Sequence, residues 1–184
     1  MESIKRMEEE HENIRRMLKV LRKVSYRIME KEEYEIEDIP KIIDFVRVYA
    51  DAHHHGKEED VLFKTMNEKL ERLRNAGAIT GMYIEHDLGR LYMADLEKAL
   101  DKFNAGEDRA RLDIIANSVG YANLLERHIE KENTAMYKFA QKMLEDEDKE
   151  FIEEEAGRIE REAEEEGLQE KYILLLEELE NKYI

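Results

Sequence analysis

The 184-residue chain contains no cysteine, a single proline and eight glycines. The missing cysteine excludes disulfides, thiolate zinc sites, iron–sulfur clusters and thiol catalysis. So little proline and glycine suits long helices with short connections, and no stretch alternates apolar and polar residues as a half-buried strand does. There is no run of about 20 apolar residues. Nor does the chain open on the short apolar core of a signal peptide. A soluble, cytoplasmic protein is the expectation, and a chain of this length is expected to bury one good core.

What the chain has in abundance is charge. Charged side chains make up 41% of the residues, with a net charge of −16. That balance leaves no basic face for phosphates, so neither nucleic acid nor a membrane surface is an expected partner. The charge is also uneven: residues 145–184 hold 17 acidic and 5 basic side chains, a net −12. A solvated helix face accounts for such a tail, and attraction of metal cations is the sharper reading.

Four stretches repeat apolar residues in alternating steps of three and four, which puts each set on one helix face. The first is Ile4, Met7, His11, Ile14, Leu18, Leu21, Ser25 and Ile28. The second is Ile39, Ile43, Val46, Ala50, His54, Glu58 and Val61. The third runs Ile79, Met82, His86, Gly89, Met93, Leu96, Leu100 and Phe103. The fourth runs Ile114, Ser118, Tyr121, Leu125, His128, Glu132, Met136, Phe139 and Met143. These stretches predict helices over about 2–31, 39–73, 79–104 and 107–144. Asp38 ahead of Ile39-Pro40 supplies a start signal, and Asn75-Ala76-Gly77 and Asn104-Ala105-Gly106 supply turns. Shorter helices follow over about 148–165 and 168–183, broken at Gly167. The last carries a stripe of Leu168, Tyr172, Leu175, Leu176, Leu179 and Tyr183 that must dock on the bundle or on a second subunit. Residues 1–144 thus read as an all-α, four-helix bundle and 145–184 as an acidic helical extension, with a homodimer contact as one use of its stripe.

Each of the four stripes is interrupted once, mid-helix, by histidine. At about 1.5 Å per residue, His11 and His54 fall at similar depth in one antiparallel hairpin, and His86 and His128 in the other. His54 and His128 are each followed four residues later by a glutamate, Glu58 and Glu132, on the same face. Burying imidazole and carboxylate in an apolar bundle is unfavourable unless a metal or a dense hydrogen-bond network receives them. The donor types suit iron, manganese or zinc. The predicted ligands are therefore His11, His54, Glu58, His86, His128 and Glu132. His54 is preferred to its neighbours because it continues its stripe. His53 stands four residues before Lys57, and His55 four after Asp51, so both read as outer or surface groups. Tyr83, Glu85 and Tyr121 flank the site and read as packing or surface.

Glu10-His11, His54-His55-Gly56-Lys57-Glu58-Glu59-Asp60-Val61-Leu62-Phe63, Glu85-His86 and His128-Ile129-Glu130-Lys131-Glu132 resemble the hemerythrin-like (HHE cation-binding) domains over residues 1–144. The resemblance implies an up-down-up-down bundle around a non-haem di-iron centre with oxo and carboxylate bridges. Within it the four histidines would be terminal ligands, and Glu58 and Glu132 the bridges. The oxygen-carrying members have a second histidine on the third helix, where this chain offers only Met82 or Arg90. That departure implies an extra exchangeable position, and chemistry or sensing with a diatomic or peroxide ligand in place of reversible oxygen carriage. Two functional classes follow: a di-iron sensor of oxygen, nitric oxide or iron, and a di-iron enzyme consuming peroxide or oxygen. An iron store or a structural metal bundle is the third.

Overall fold

A computed structural model describes residues 1–31 and 35–184, and all its regular structure is helical. Helix α1 is Glu2–Glu30. Helix α2 spans 38–69 and changes character along its length: α-helical over Asp38–Phe45, π-helical over Val46–His55 and Glu58–Leu62, and α-helical again over Phe63–Lys69. A short α3 (Glu71–Asn75) leads to α4 (Ala78–Asn104). Helix α5 begins as Ala110–Lys131, passes through a π turn at Glu132–Met136 and ends as Tyr137–Met143. Two more helices, α6 (Asp146–Glu165) and α7 (Leu168–Tyr183), complete the described chain. The polar stretch Glu32–Glu37 that separates the first two predicted helices lies partly outside the described residues. No described helix is long and apolar enough to cross a membrane.

Among α1, α2, α4 and α5, neighbouring helices run in opposite directions. On α1 and α2, Glu10 meets His54 and Asn13 meets Tyr49. Arg47 meets Glu97 and Glu59 meets His86 between α2 and α4. Between α1 and α5, His11 meets Asn133 and Arg15 meets Glu126. Helices α4 and α5 pack tightly at Gly120, where an added Cβ would stand 2.6 Å from the ring of Tyr92. The turn into α4 is made by Gly77 at φ 69°, a left-handed conformation that strains other residues.

The predicted stripes point inward almost throughout. They bury a large apolar cluster around Leu18, Leu21, Phe45 and Leu96, and a smaller one around Ile4, Met7, Phe63 and Met66. The polar layer of histidines and glutamates separates the two clusters. The stripe fails at the end of α5. Phe139 is only half-buried and Met143 is exposed, while Tyr137, Ala140 and Leu144 face inward. The cause is the π turn at Glu132–Met136. A turn closed by i→i+5 hydrogen bonds holds an extra residue, so every later position is rotated relative to an α-helical count.

Helices α6 and α7 lie along α1 and α2. Leu176 and Leu179 are 0% exposed and belong to the large cluster. Tyr183 donates to Asp38 Oδ2 at 2.7 Å, Tyr172 to Asp44 Oδ2 at 2.8 Å, and Arg16 pairs with Glu180 at 2.5 Å. The stripe of α7 is thus spent on the bundle of the same chain. Leu176→Ala should lower the unfolding free energy by about 2–5 kcal/mol, the usual cost of emptying a buried leucine site. Chemical denaturation followed by circular dichroism reads this; a loss below about 1 kcal/mol would show that α7 is not part of the core.

Candidate metal centre

The six residues singled out from the sequence come together, and a seventh joins them. His11 comes from α1, His54 and Glu58 from the π-helical part of α2, His86 from α4, and His128 and Glu132 from α5. The seventh is His55. Two donor groups share Glu58: His55, Glu58, His86 and His128 form one, and His11, His54, Glu58 and Glu132 the other, with the donor atoms of each group within 4.8 Å of one another. All seven side chains are at least nine-tenths buried.

His55 contradicts the expectation that it sits at the surface. Its ring stacks on His86 with centroids 3.9 Å apart and stands edge-on to His128 at 5.8 Å. An imidazole thus stands beside His86, where its absence from the third helix had implied an extra open position. Arg90 does not enter the site; it lies outside, 2.8 Å from Asp51 and 2.7 Å from Glu59. Met82 packs in the smaller apolar cluster. The physical reason is again the π-helical backbone. With more residues per turn, consecutive side chains fan through a narrower angle, and His53, His54 and His55 are all buried. The signal that misled was Asp51: taken as the mark of a polar face, it is the hydrogen-bond partner of His55.

Each inward ring is held the same way. Its Nδ1–H donates outward to a carboxylate or amide oxygen: His11 to Asn133 (2.7 Å), His54 to Glu10 (2.7 Å), His55 to Asp51 (3.2 Å), His86 to Glu59 (2.6 Å) and His128 to Glu85 (2.9 Å). These acceptors hold the Nδ1 proton outward and turn Nε2 toward the centre. The carboxylates are braced in turn by cations. Arg90 pairs with Asp51 and Glu59, Lys131 with Glu85, and Lys57 with Glu10. Glu10 and Glu85 were not expected to serve the site, and both sit one residue before a histidine on the stripe.

Inside the centre the imidazole nitrogens come within hydrogen-bond reach of one another in two pairs, but three carboxylate oxygens find no partner. Nε2 of His54 lies 2.8 Å from Nε2 of His11, and Nε2 of His86 lies 2.9 Å from that of His128. Glu132 approaches His128 to 2.8 Å and His11 to 3.2 Å without hydrogen-bond alignment. Both oxygens of Glu132 and Oε2 of Glu58 are buried without a hydrogen-bond partner. The inward nitrogens and these partnerless oxygens converge on points between them. Without a cation the two carboxylates titrate apart. Burial, with the charge of Glu132, pushes Glu58 well up. Burial also opposes ionisation of Glu132, but His128 and the other inward imidazoles hold it well below the ordinary range. Burial and then the neighbouring His11 lower His54 to about 4. The residues fit a pair of metal ions, whose positive charge would meet the inward nitrogens and both carboxylates.

Beside this centre is a second buried polar cluster, Glu10, His53 and Glu160, with Lys57 among them. Glu160 belongs to the extension, whose carboxylates had been expected to stay on polar faces.

The family model described as hemerythrin HHE cation-binding domain matches residues 2–140. That span takes in all seven clustered side chains and stops before α6 and α7. Comparison with curated proteins gives no match, and comparison with solved structures gives none. The histidine and glutamate cluster within one helical bundle and the family match lead to the same place: the chain belongs to the hemerythrin HHE cation-binding domain family.

Proposed function

We propose that the chain holds two iron ions and uses them on dioxygen, peroxide or nitric oxide, as a redox catalyst or as a sensor of these molecules or of iron, and that it does not carry oxygen reversibly. His55, His86 and His128 would hold one ion and His11 and His54 the other, with Glu58 and Glu132 shared between them. Iron bound there would supply electron transfer to a small oxidant. Zinc or manganese suit the same donors, which makes metal analysis the first measurement.

The observation that carries the reading against reversible carriage is Tyr137. The ground expected from the sequence, a missing imidazole, falls away once His55 fills that place. Tyr137 gives a different ground. The π turn of α5 swings it inward, where its ring stacks on His11 at 5.5 Å. Its hydroxyl donates to Glu58 Oε1 at 2.6 Å and lies 3.5 Å from His11 Nε2. Burial and the adjacent Glu58 push its pKa well up, so the phenol keeps its proton. A buried proton donor that can itself be oxidised thus stands beside the group with fewer imidazoles. A carrier must return its ligand unchanged, and a proton source at this distance favours reduction of the ligand instead.

Access from solvent lies on the side of the other donor group. A cavity of about 250 Å³ reaches His55 and His86 between Asp51, Arg90, Met93 and Tyr121. The hydroxyl of Tyr121 is buried there without a hydrogen-bond partner.

Anaerobically purified protein should contain two irons per chain. Glu58→Ala and Glu132→Ala should each abolish the two-metal centre, because two cations would then face each other with only one shared carboxylate to offset their repulsion. Glu59→Ala should keep both metals at an affinity lowered roughly 10- to 100-fold, as for other partners of ligating histidines. Equal loss from all three variants would show the inner and outer glutamates to be misassigned.

Reduced iron-loaded protein exposed to air and then flushed with argon should hold a stable oxidised spectrum. Repeated recovery of the reduced spectrum would sink the reading against carriage. Tyr137→Phe should slow peroxide consumption roughly 100-fold, the low end of what a positioned proton donor contributes; an unchanged rate would remove Tyr137 from that role.

A further inference from the structure

The C-terminal helices lie outside the family match, yet one of their side chains reaches toward the centre. Glu160 on α6 is only 6% exposed. Its Oε1 accepts from Lys57 Nζ and lies 3.4 Å from His53 Nε2. Its Oε2 accepts from Gln169 at 2.6 Å and from Arg6 at 3.3 Å. Lys57 is itself 2% exposed and donates as well to Glu10 Oε1. The other oxygen of Glu10 accepts the Nδ1–H of His54 at 2.7 Å. A buried path of alternating charge therefore runs from the extension to an inward imidazole.

The other carboxylates that hold Nδ1 protons are partly solvated, at 20–26% side-chain exposure, and their cations Arg90 and Lys131 reach water. Glu10 and Lys57 are far more deeply buried, and the cavity of about 250 Å³ that reaches Lys57 reaches it beside Glu160 itself. A buried ammonium needs its negative partners close. With Glu10 as its sole carboxylate, Lys57 would draw both oxygens of Glu10 toward itself and away from His54. Glu160 takes up that demand.

We propose that Glu160 is a positioning residue of the metal centre: by sharing Lys57 it leaves Glu10 to hold the Nδ1 proton of His54, so that the acidic extension is a working part of the site as well as its cover. The proposal rests on the reading of His54 as a ligand. A firm carboxylate acceptor on Nδ1 makes Nε2 a stronger donor to a metal. A weakened one loosens the metal and disfavours its more highly charged state.

The test compares the full chain with Glu160→Gln, which keeps size without charge, Glu160→Asp, which keeps charge at shorter reach, and Leu176→Ala, which loosens the docking of α7 without touching the path. Iron-loaded Glu160→Gln should lose iron to a chelator about three- to ten-fold faster than wild type, below the roughly 10- to 100-fold of a direct ligand partner. Its reduction potential should be more positive, with Glu160→Asp between the two. In the metal-free chain, nuclear magnetic resonance should show the Nδ1–H of His54 exchanging faster with water in Glu160→Gln. Unchanged release, potential and exchange in that variant would overturn the proposal, as would the same changes in Leu176→Ala. A wild-type chain that takes up no iron would overturn the metal reading itself. The proton of His54 then decides the positioning separately, and unchanged exchange in Glu160→Gln overturns it.

Discussion

At the centre of the bundle, imidazole nitrogens face each other in two pairs at 2.8 and 2.9 Å, each ring donating its Nδ1 proton outward and so turning Nε2 inward. Two such nitrogens at that separation need a proton or a metal ion between them, and the partnerless oxygens of Glu58 and Glu132 point to the same need for positive charge. Much else in the protein follows from holding this arrangement in place. The apolar core is divided, with a large cluster on one side of the polar layer and a smaller one on the other. These clusters supply the burial that offsets the desolvation of the charged layer between them.

Around the inward nitrogens the charges alternate outward. Imidazoles are held mostly by carboxylates, and the carboxylates are held by arginine or lysine. The alternation lets each imidazole hold its Nδ1 proton outward while the acid that accepts it stays ionised. Toward solvent the outer cations are solvated, so individual ion pairs there contribute little to stability. Their service is orientation. Where α6 covers the bundle the charged groups are nearly closed off from solvent, and the last member of the sequence of charges is another side chain.

Much of this was legible in the residues. The stripes, turns and helix ends follow from spacing, proline and glycine, because long amphipathic helices have little choice about which face they bury. His11, His54, Glu58, His86, His128 and Glu132 stood out as polar interruptions of those stripes. His55 and Tyr137 did not, and both for one reason. Each depends on a π turn, where the count of residues per turn departs from the α-helical value on which every periodicity reading rests. No residue type marks such a turn in advance; it is favoured by what the turned side chains then reach. Glu160 was illegible for another reason. One buried glutamate in a segment with 17 acids cannot be told from its neighbours until the partner surface is known.

The π-helical stretches also bear on which changes of chain length the protein can absorb. In α2 the register between Val46 and Leu62 decides which of three adjacent histidines face which neighbour. Removing one residue there would return a turn to α-helical count and rotate all that follows, moving His55 and Glu58 off the centre together. One residue gained or lost in the turn at 75–77 or in the connection at 105–109 changes only a surface link. Relatives should therefore differ in length at the helix ends and agree residue for residue across the middle of α2. A one-residue gap placed there in an alignment marks a chain whose ligand set has changed.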